Sequence, residues 1–157
     1  MEKEQKPEKE EKKTKEEKLK KEYVTANGRN LAMSTKEAVD ICRMIRGKDI
    51  DTSLKLLEEV LQFKRAVKMN RREVPHRHGK GMMAGRYPIA AVKEFIRLAK
   101  QLKSNALHQE LEIEKYVLFC KADKASRPYR RDGRRFKRTH VLLKLEKLKE
   151  NKNKEKG

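Results

Sequence analysis

Apolar residues recur along this chain with two different periods, and the change of period divides it. Ser34-Thr35-Lys36-Glu37 reads as a capping box, with Ser34 as the cap and Glu37 returning to the Ser34 amide. Ala38, Ile41, Cys42 and Ile45 follow at i, i+3, i+4 and i+7, which is one helical face. Gly47 supplies a C-terminal stop. Asp51, Thr52 and Ser53 offer the cap of a second helix, whose stripe is Leu54, Leu57 and Leu61, widened by Leu56, Val60 and Phe63. That helix is expected to fade into 64–72. Gly79, Gly81 and Gly85 then break the chain into a loop, with Gly85 expected to lie against a partner's backbone. Pro88 suits the first position of a third helix. Its stripe is Ile89, Val92, Ile96 and Ala99, flanked by Phe95, Leu98 and Leu102, and it should end near Leu107.

After that the period shortens to two. Tyr116, Leu118 and Cys120 alternate with Val117, Phe119 and Lys121, and Val141, Leu143 and Leu145 with Leu142, Lys144 and Glu146. Both read as strands. Between them runs Arg127-Pro-Tyr-Arg-Arg-Asp-Gly-Arg-Arg, in which Asp132-Gly133 is a hairpin-turn dipeptide. The expectation is a long basic β-hairpin arm over about 121–138. At about 3.3 Å per residue, a dozen residues per leg would project roughly 40 Å. A third strand, weakly alternating, is expected near 23–32. The predicted fold class is α+β: three helices packed on a small antiparallel sheet, with one protruding basic hairpin.

Charge changes this picture. Of 157 residues, 43 are Lys or Arg and 24 Asp or Glu, a net charge of +19, and 43% of the chain is charged. Globular domains carry about 25%. Residues 1–22 hold nine Lys and eight Glu, with Leu19 the only aliphatic side chain beyond Met1; residues 147–157 hold five Lys and two Glu. Neither can bury enough apolar area to offset its ordering entropy, so both are expected to be charged tails around a domain at 23–146. Within that domain the excess is concentrated: eight basic residues against one acidic in 64–86, and nine against two in 121–138. Two basic segments on a nearly neutral frame suggest two contact surfaces for phosphate.

Other chemistries find little support. No run reaches the roughly 18 apolar residues of a membrane span, and the N-terminus lacks the apolar region of a secretory signal. Cys42 and Cys120 read as two reduced core thiols. His76-Arg77-His78 lacks the companions of a metal site, so solvated or phosphate-facing histidines are the plainer reading. Gly79-Lys80-Gly81 with Gly85 has neither the spacing nor the Lys-Ser/Thr pair of a P-loop. No catalytic set can be argued, so an enzyme, a cofactor and a bound metal are not expected. The tails contain no Arg, whereas the two internal segments are rich in it. Arg grips phosphate through a planar two-pronged fork and stacks on bases. The candidate RNA-binding residues are therefore Lys64, Arg65, Lys68, Arg71, Arg72, His76, Arg77, His78, Lys80 and Arg86 in the first segment. In the second they are Lys124, Arg127, Tyr129, Arg130, Arg131, Arg134, Arg135, Lys137 and Arg138. Tyr129 and Phe136 could stack on unpaired bases. With aromatics at 5%, no Trp and no recognition-helix motif, a folded RNA read by shape and backbone is favoured over a DNA site.

In this order the elements resemble a known family. The matching stretches are Gly28-Arg-Asn-Leu-Ala-Met-Ser34-Thr-Lys, Ala38-Val-Asp-Ile-Cys-Arg-Met-Ile-Arg-Gly47, Val74-Pro-His-Arg-His-Gly79 and Ala84-Gly-Arg-Tyr-Pro88 leading into Ala90-Ala-Val-Lys-Glu. Ser104-Asn105-Ala106 matches a helix end and Lys137-Arg-Thr-His140 the return strand of the hairpin. Over about 23–146 the chain resembles the universal large-subunit ribosomal protein L twenty-two family, called L seventeen in eukaryotes, in its archaeal and eukaryotic branch. The resemblance implies a cytoplasmic, ribosome-bound structural protein whose basic hairpin threads through large-subunit ribosomal RNA to the wall of the nascent-peptide exit tunnel. It implies large-subunit ribosomal RNA, neighbouring large-subunit proteins and, at the hairpin tip, the nascent peptide as partners, with no membrane and no homo-oligomer. The alternatives from other classes are a free nucleoid or chromatin-type DNA binder using the same charge, and an adaptor docking proteins through the Lys/Glu tails.

Overall fold

The computed structural model describes residues 23–70, 78 and 81–147. The segments expected to be charged tails lie outside the described residues, apart from Lys147, which ends the last strand. The described chain runs β1 (Val24–Leu31), α1 (Thr35–Ile45), α2 (Ile50–Leu61), β2 (Val67–Lys68), β3 (Gly85–Arg86), α3 (Ile89–His108), β4 (Tyr116–Lys124) and β5 (Thr139–Lys147). Strands β1, β5 and β4, in that order, form an antiparallel sheet; α1 and α3 pack on it, and α2 packs against α3. The fold is α+β, as expected.

Alternation explains the sheet's inner face. Val24, Ala26, Tyr116, Leu118, Cys120, Val141, Leu143 and Leu145 are all buried, and each has its strand neighbours turned the other way. The weakly patterned 23–32 segment forms a strand because β5 pairs with it from Val24–Leu145 to Leu31–Thr139. Asn105, near the end of α3, donates from Nδ2 to the Thr25 carbonyl at 3.2 Å and ties that helix to β1. The opposite edge is covered as well. The Gly47 amide donates to the Leu118 carbonyl at 2.8 Å, and the Leu118 amide to the Lys48 carbonyl at 2.9 Å. Gly47 can make this turn because its φ of +74° costs a residue without Cβ nothing.

Six details differ from the sequence expectation. Ser34 stands at the N-cap of α1, but its side chain makes no cap hydrogen bond, so the capping box does not close. The second helix starts one turn earlier than Asp51–Ser53 suggested, with Asp49 at its N-cap; Ser53 is inside it, donating to the Asp49 carbonyl at 2.8 Å. That helix does not fade into 64–72. It stops at Leu61, where Phe63 adopts φ +58° and the Phe63 and Lys64 amides turn back to the Val60 and Glu59 carbonyls. The buried face of α3 is rotated: Phe95, Val92 and Leu102 are its centre, and Ile89 and Ile96 lie at the margin. Pro88 is its N-cap rather than its first residue.

The sixth concerns Gly85, which is not a loop residue facing a partner. It is buried in β3, where β3 pairs with β2 as a second, two-stranded sheet. A Cβ there would sit 2.6 Å from Met82 Sδ and 3.2 Å from both Ala66 Cβ and His78 Cδ2. Glycine is needed at Gly85 for close packing inside the protein.

The cysteines are buried and unpaired, one on α1 and one on β4. They are neighbours: a hydrogen bond with Cys42 and burial together push the Cys120 thiol far above its ordinary pKa.

Candidate nucleic-acid interface

β4 and β5 pair without interruption from Tyr116–Lys147 to Lys124–Thr139. Beyond that point regular ladder pairing ends, but the two legs of the arm stay in register. The Ala125 amide donates to the Arg138 carbonyl at 3.1 Å, Phe136 to Pro128 at 3.1 Å, and Arg130 to Arg134 at 2.8 Å; Tyr129 and Arg135 form an isolated bridge. The chain reverses through Arg131–Gly133, where Asp132 and Gly133 both have positive φ, 61° and 69°. These are the conformations that an Asp-Gly turn supplies cheaply.

Few apolar side chains hold this tip; stacked ring–guanidinium pairs do. Arg135 lies 4.4 Å above the Tyr129 ring and donates to its hydroxyl at 2.5 Å, while Arg130 and Arg138 lie 4.9 Å and 5.6 Å from the Phe136 ring. Tyr129, 72% exposed, and Phe136 are thus already engaged by arginines. Arg131, Arg134, Lys124, Arg127 and Lys137 are exposed and have no carboxylate partner among the described residues. Lys121 pairs with Asp123 at 3.0 Å. Arg138 is half-buried and donates to the Asn30 carbonyl at 3.4 Å, and the Asn30 amide donates to His140 Nδ1 at 3.2 Å. Asn30, at φ +54°, sits at a register break in β1, so the arm's return leg is clamped to that break from both sides.

The first basic segment is less uniform. Arg71, Arg72, His76, Arg77 and Lys80 lie outside the described residues. Arg65 is tied to Glu59 at 2.5 Å, whereas Lys64 and Lys68 are exposed. His78 meets Tyr87 edge-on at 5.3 Å, and Phe63 packs on Tyr87 from elsewhere at 5.2 Å. Phe63, which the apolar spacing puts on a helix stripe, is 59% exposed beside Lys64, and no arginine among the described residues lies over its ring. Only a sharp helix stop at Leu61 could have revealed this, and the apolar pattern continues past that point.

One basic residue of the first segment meets the second. Arg86 of β3 lines the same cavity, about 380 Å³, as Lys124, Arg127 and Lys137 of the arm's root. Lys36, which sequence reasoning passed over, is also in that wall. Two acidic groups face it, Glu37 and the buried Asp40, and Arg43 holds Asp40 at 3.1 Å.

Relatives with this sequence pattern exist among known proteins. Large ribosomal subunit protein uL22 of Archaeoglobus fulgidus is 42% identical over 96 residues, covering 59% of this chain and 62% of that protein. The protein of the same name from Methanocaldococcus jannaschii is 41% identical over 93 residues, 57% of this chain and 60% of its own. That from Methanothrix thermoacetophila is 38% identical over 111 residues, 69% of this chain and 73% of its own. This chain belongs to the uL22 family. The match spans about three fifths of the Archaeoglobus and Methanocaldococcus proteins' length. No family model matches the chain.

Proposed function

We propose that this chain is a structural component of the large ribosomal subunit, binding large-subunit ribosomal RNA and extending its basic arm into the wall of the nascent-peptide exit tunnel. The observation that carries this is the arm itself: nine cations against two carboxylates over 121–138, of which Lys121 alone is ion-paired among the described residues. A surface cation usually costs little to leave solvated. A whole projecting hairpin of them repels itself unless a polyanion lies alongside, and its Arg-rich, aromatic-backed composition suits an RNA backbone. Relatives named as large-subunit proteins support the reading. The role is one of scaffolding, on the cytoplasmic ribosome, beside other large-subunit proteins and with the nascent peptide at the tip of the arm.

Sedimentation of a cell lysate through a gradient tests it. The chain should travel with the large subunit. Recovery with DNA or as free protein, and none in the large subunit, would overturn the reading in favour of a nucleoid-type binder or an adaptor.

A further inference from the structure

The cavity at the arm's root brings together side chains that the sequence holds far apart. Arg86 arrives on β3, Lys124 at the end of β4, and Arg127 and Lys137 on opposite legs of the arm. None of the four has a carboxylate partner among the described residues. Of the two acids in the wall, Asp40 is engaged by Arg43, and Glu37 shares the wall with these four cations and Lys36. Four like charges converging on one concavity oppose the fold that gathers them unless an anion occupies it. Their positions are nevertheless fixed. Lys124 is paired in register with Thr139, Ala125 donates to Arg138, and the Thr139 hydroxyl is bonded to Thr35 at 3.0 Å.

We propose that this cavity is a phosphate site that seats one backbone phosphodiester of an RNA strand and sets the register of the arm against it. Two guanidinium groups can each present paired N–H donors to a tetrahedral oxyanion, and two ammonium groups complete the charge balance. The assignment to RNA rests on the function proposed above. It is favoured on this surface because Arg131 and Arg134, exposed and with no carboxylate partner among the described residues, continue from the cavity along the arm. A strand seated at the root would follow them, whereas a small anion would use the cavity alone.

The test uses the full chain, isotope-labelled, titrated by NMR with inorganic phosphate and with chloride at matched ionic strength. Phosphate should produce saturable shifts at the Thr35 and Glu37 amides, chloride should not, and Arg127→Ala/Lys137→Ala should abolish them. Shifts that follow ionic strength alike in both salts, or that survive in the double variant, would overturn the site. Both residues are exposed, and Arg86→Gln gives an independent variant in case the arm's root rearranges. A second arm uses a large-subunit RNA transcript. The double variant should bind it more weakly, with the slope of log affinity against log salt flatter by about one, as for the loss of one phosphate contact. Saturable phosphate shifts with unchanged RNA affinity would make this a small-anion site and overturn the RNA assignment. Wild-type protein that fails to bind the transcript at all would instead sink the functional reading, independently of the phosphate titration.

Discussion

Thr35 and Thr139 touch through their hydroxyl oxygens, 3.0 Å apart, and the Thr139 hydroxyl also donates to the Met33 carbonyl at 3.1 Å. Thr139 is fully buried, and it is the first residue of the strand that receives the arm. One hydroxyl therefore joins the start of α1 to the place where the arm leaves the body. Thr139→Val keeps the shape and strands the Met33 carbonyl without its donor. The expected loss is about 1–3 kcal/mol of stability, since an unsatisfied buried group forfeits its solvation. Denaturant unfolding measures it; an unchanged midpoint would show that water replaces the hydroxyl.

The arm's arginines should divide into two kinds. Arg131 and Arg134 touch no ring among the described residues, whereas Arg130 and Arg135 hold the two aromatic stacks. Arg131→Ala/Arg134→Ala should flatten the salt dependence of RNA binding by about 1.5, at roughly 0.7–0.9 per phosphate contact. It should leave the tip's NMR spectrum in place. Arg130→Ala/Arg135→Ala should flatten it similarly and also collapse the dispersion of the Tyr129 and Phe136 ring signals. Neither pair should move the melting temperature of the core much, because exposed charges contribute little to folding. If neither pair changes the slope, the arm does not touch phosphate.

Gly85→Val should lower stability rather than selectively weaken RNA docking. The added atoms meet the Ala66 Cβ, Met82 and His78 in a buried strand, and overpacking of this kind costs about 1–3 kcal/mol. A melt of the free protein checks this. Wild-type stability with lost RNA affinity would restore the loop assignment.

Phe63→Gly should separate strain from binding. A left-handed backbone costs a side-chain-bearing residue about 1–2 kcal/mol, and glycine removes that cost while giving up the Tyr87 contact and some unfolded-state order. Thermal stability should therefore change by no more than about 1 kcal/mol in either direction, within the range of those opposing terms. RNA affinity should fall by roughly 5- to 150-fold if the exposed ring stacks on a base, at about 1–3 kcal/mol per stacked base. Equal RNA affinity in the two proteins would leave Phe63 a purely structural cap.

Cys120 makes stability fall at high pH. Its folded thiol is held protonated by the hydrogen bond with Cys42 and by burial, so its pKa is raised. The folded state then binds the proton more tightly than the unfolded chain. The stabilisation is fully present below the unfolded thiol's pKa of about 8.5 and declines above it by up to about 1.4 kcal/mol per pH unit. Urea unfolding of the wild type and of Cys120→Ala between neutral and alkaline pH gives the difference. Parallel curves above pH 8.5 would contradict it.

The face of α1 and the inner sheet face were legible because burial follows periodicity, with Ile41 and Leu143 where the pattern put them, whereas the buried faces of α2 and α3 are turned toward Leu56 and Val60 and toward Phe95. The Asp132-Gly133 turn was legible because its backbone demands those residue types. Three things were not. A helix stop made by Phe63 carries no glycine to announce it. The two residues of β2 and the two of β3 are too short for any period to show, so Gly85 read as loop. Lastly, the meeting of Arg86 with Lys124, Arg127 and Lys137 depends on how β3 docks beside the arm, which no local pattern encodes. The candidate residues could be named from charge and side-chain type; their convergence could not.

The backbone turn at Gly47–Lys48 also bears on how copies of the chain meet one another. On the β4 side, an incoming strand finds the Leu118 amide and carbonyl already taken. On the β1 side it finds the Thr25 carbonyl held by Asn105, and a ladder broken between Gly28 and Leu31. Among the described residues, neither flank offers a continuous row of vacant donors and acceptors on which a second copy could template itself. A protein carrying this much positive charge is thus also guarded against stacking into its own fibre.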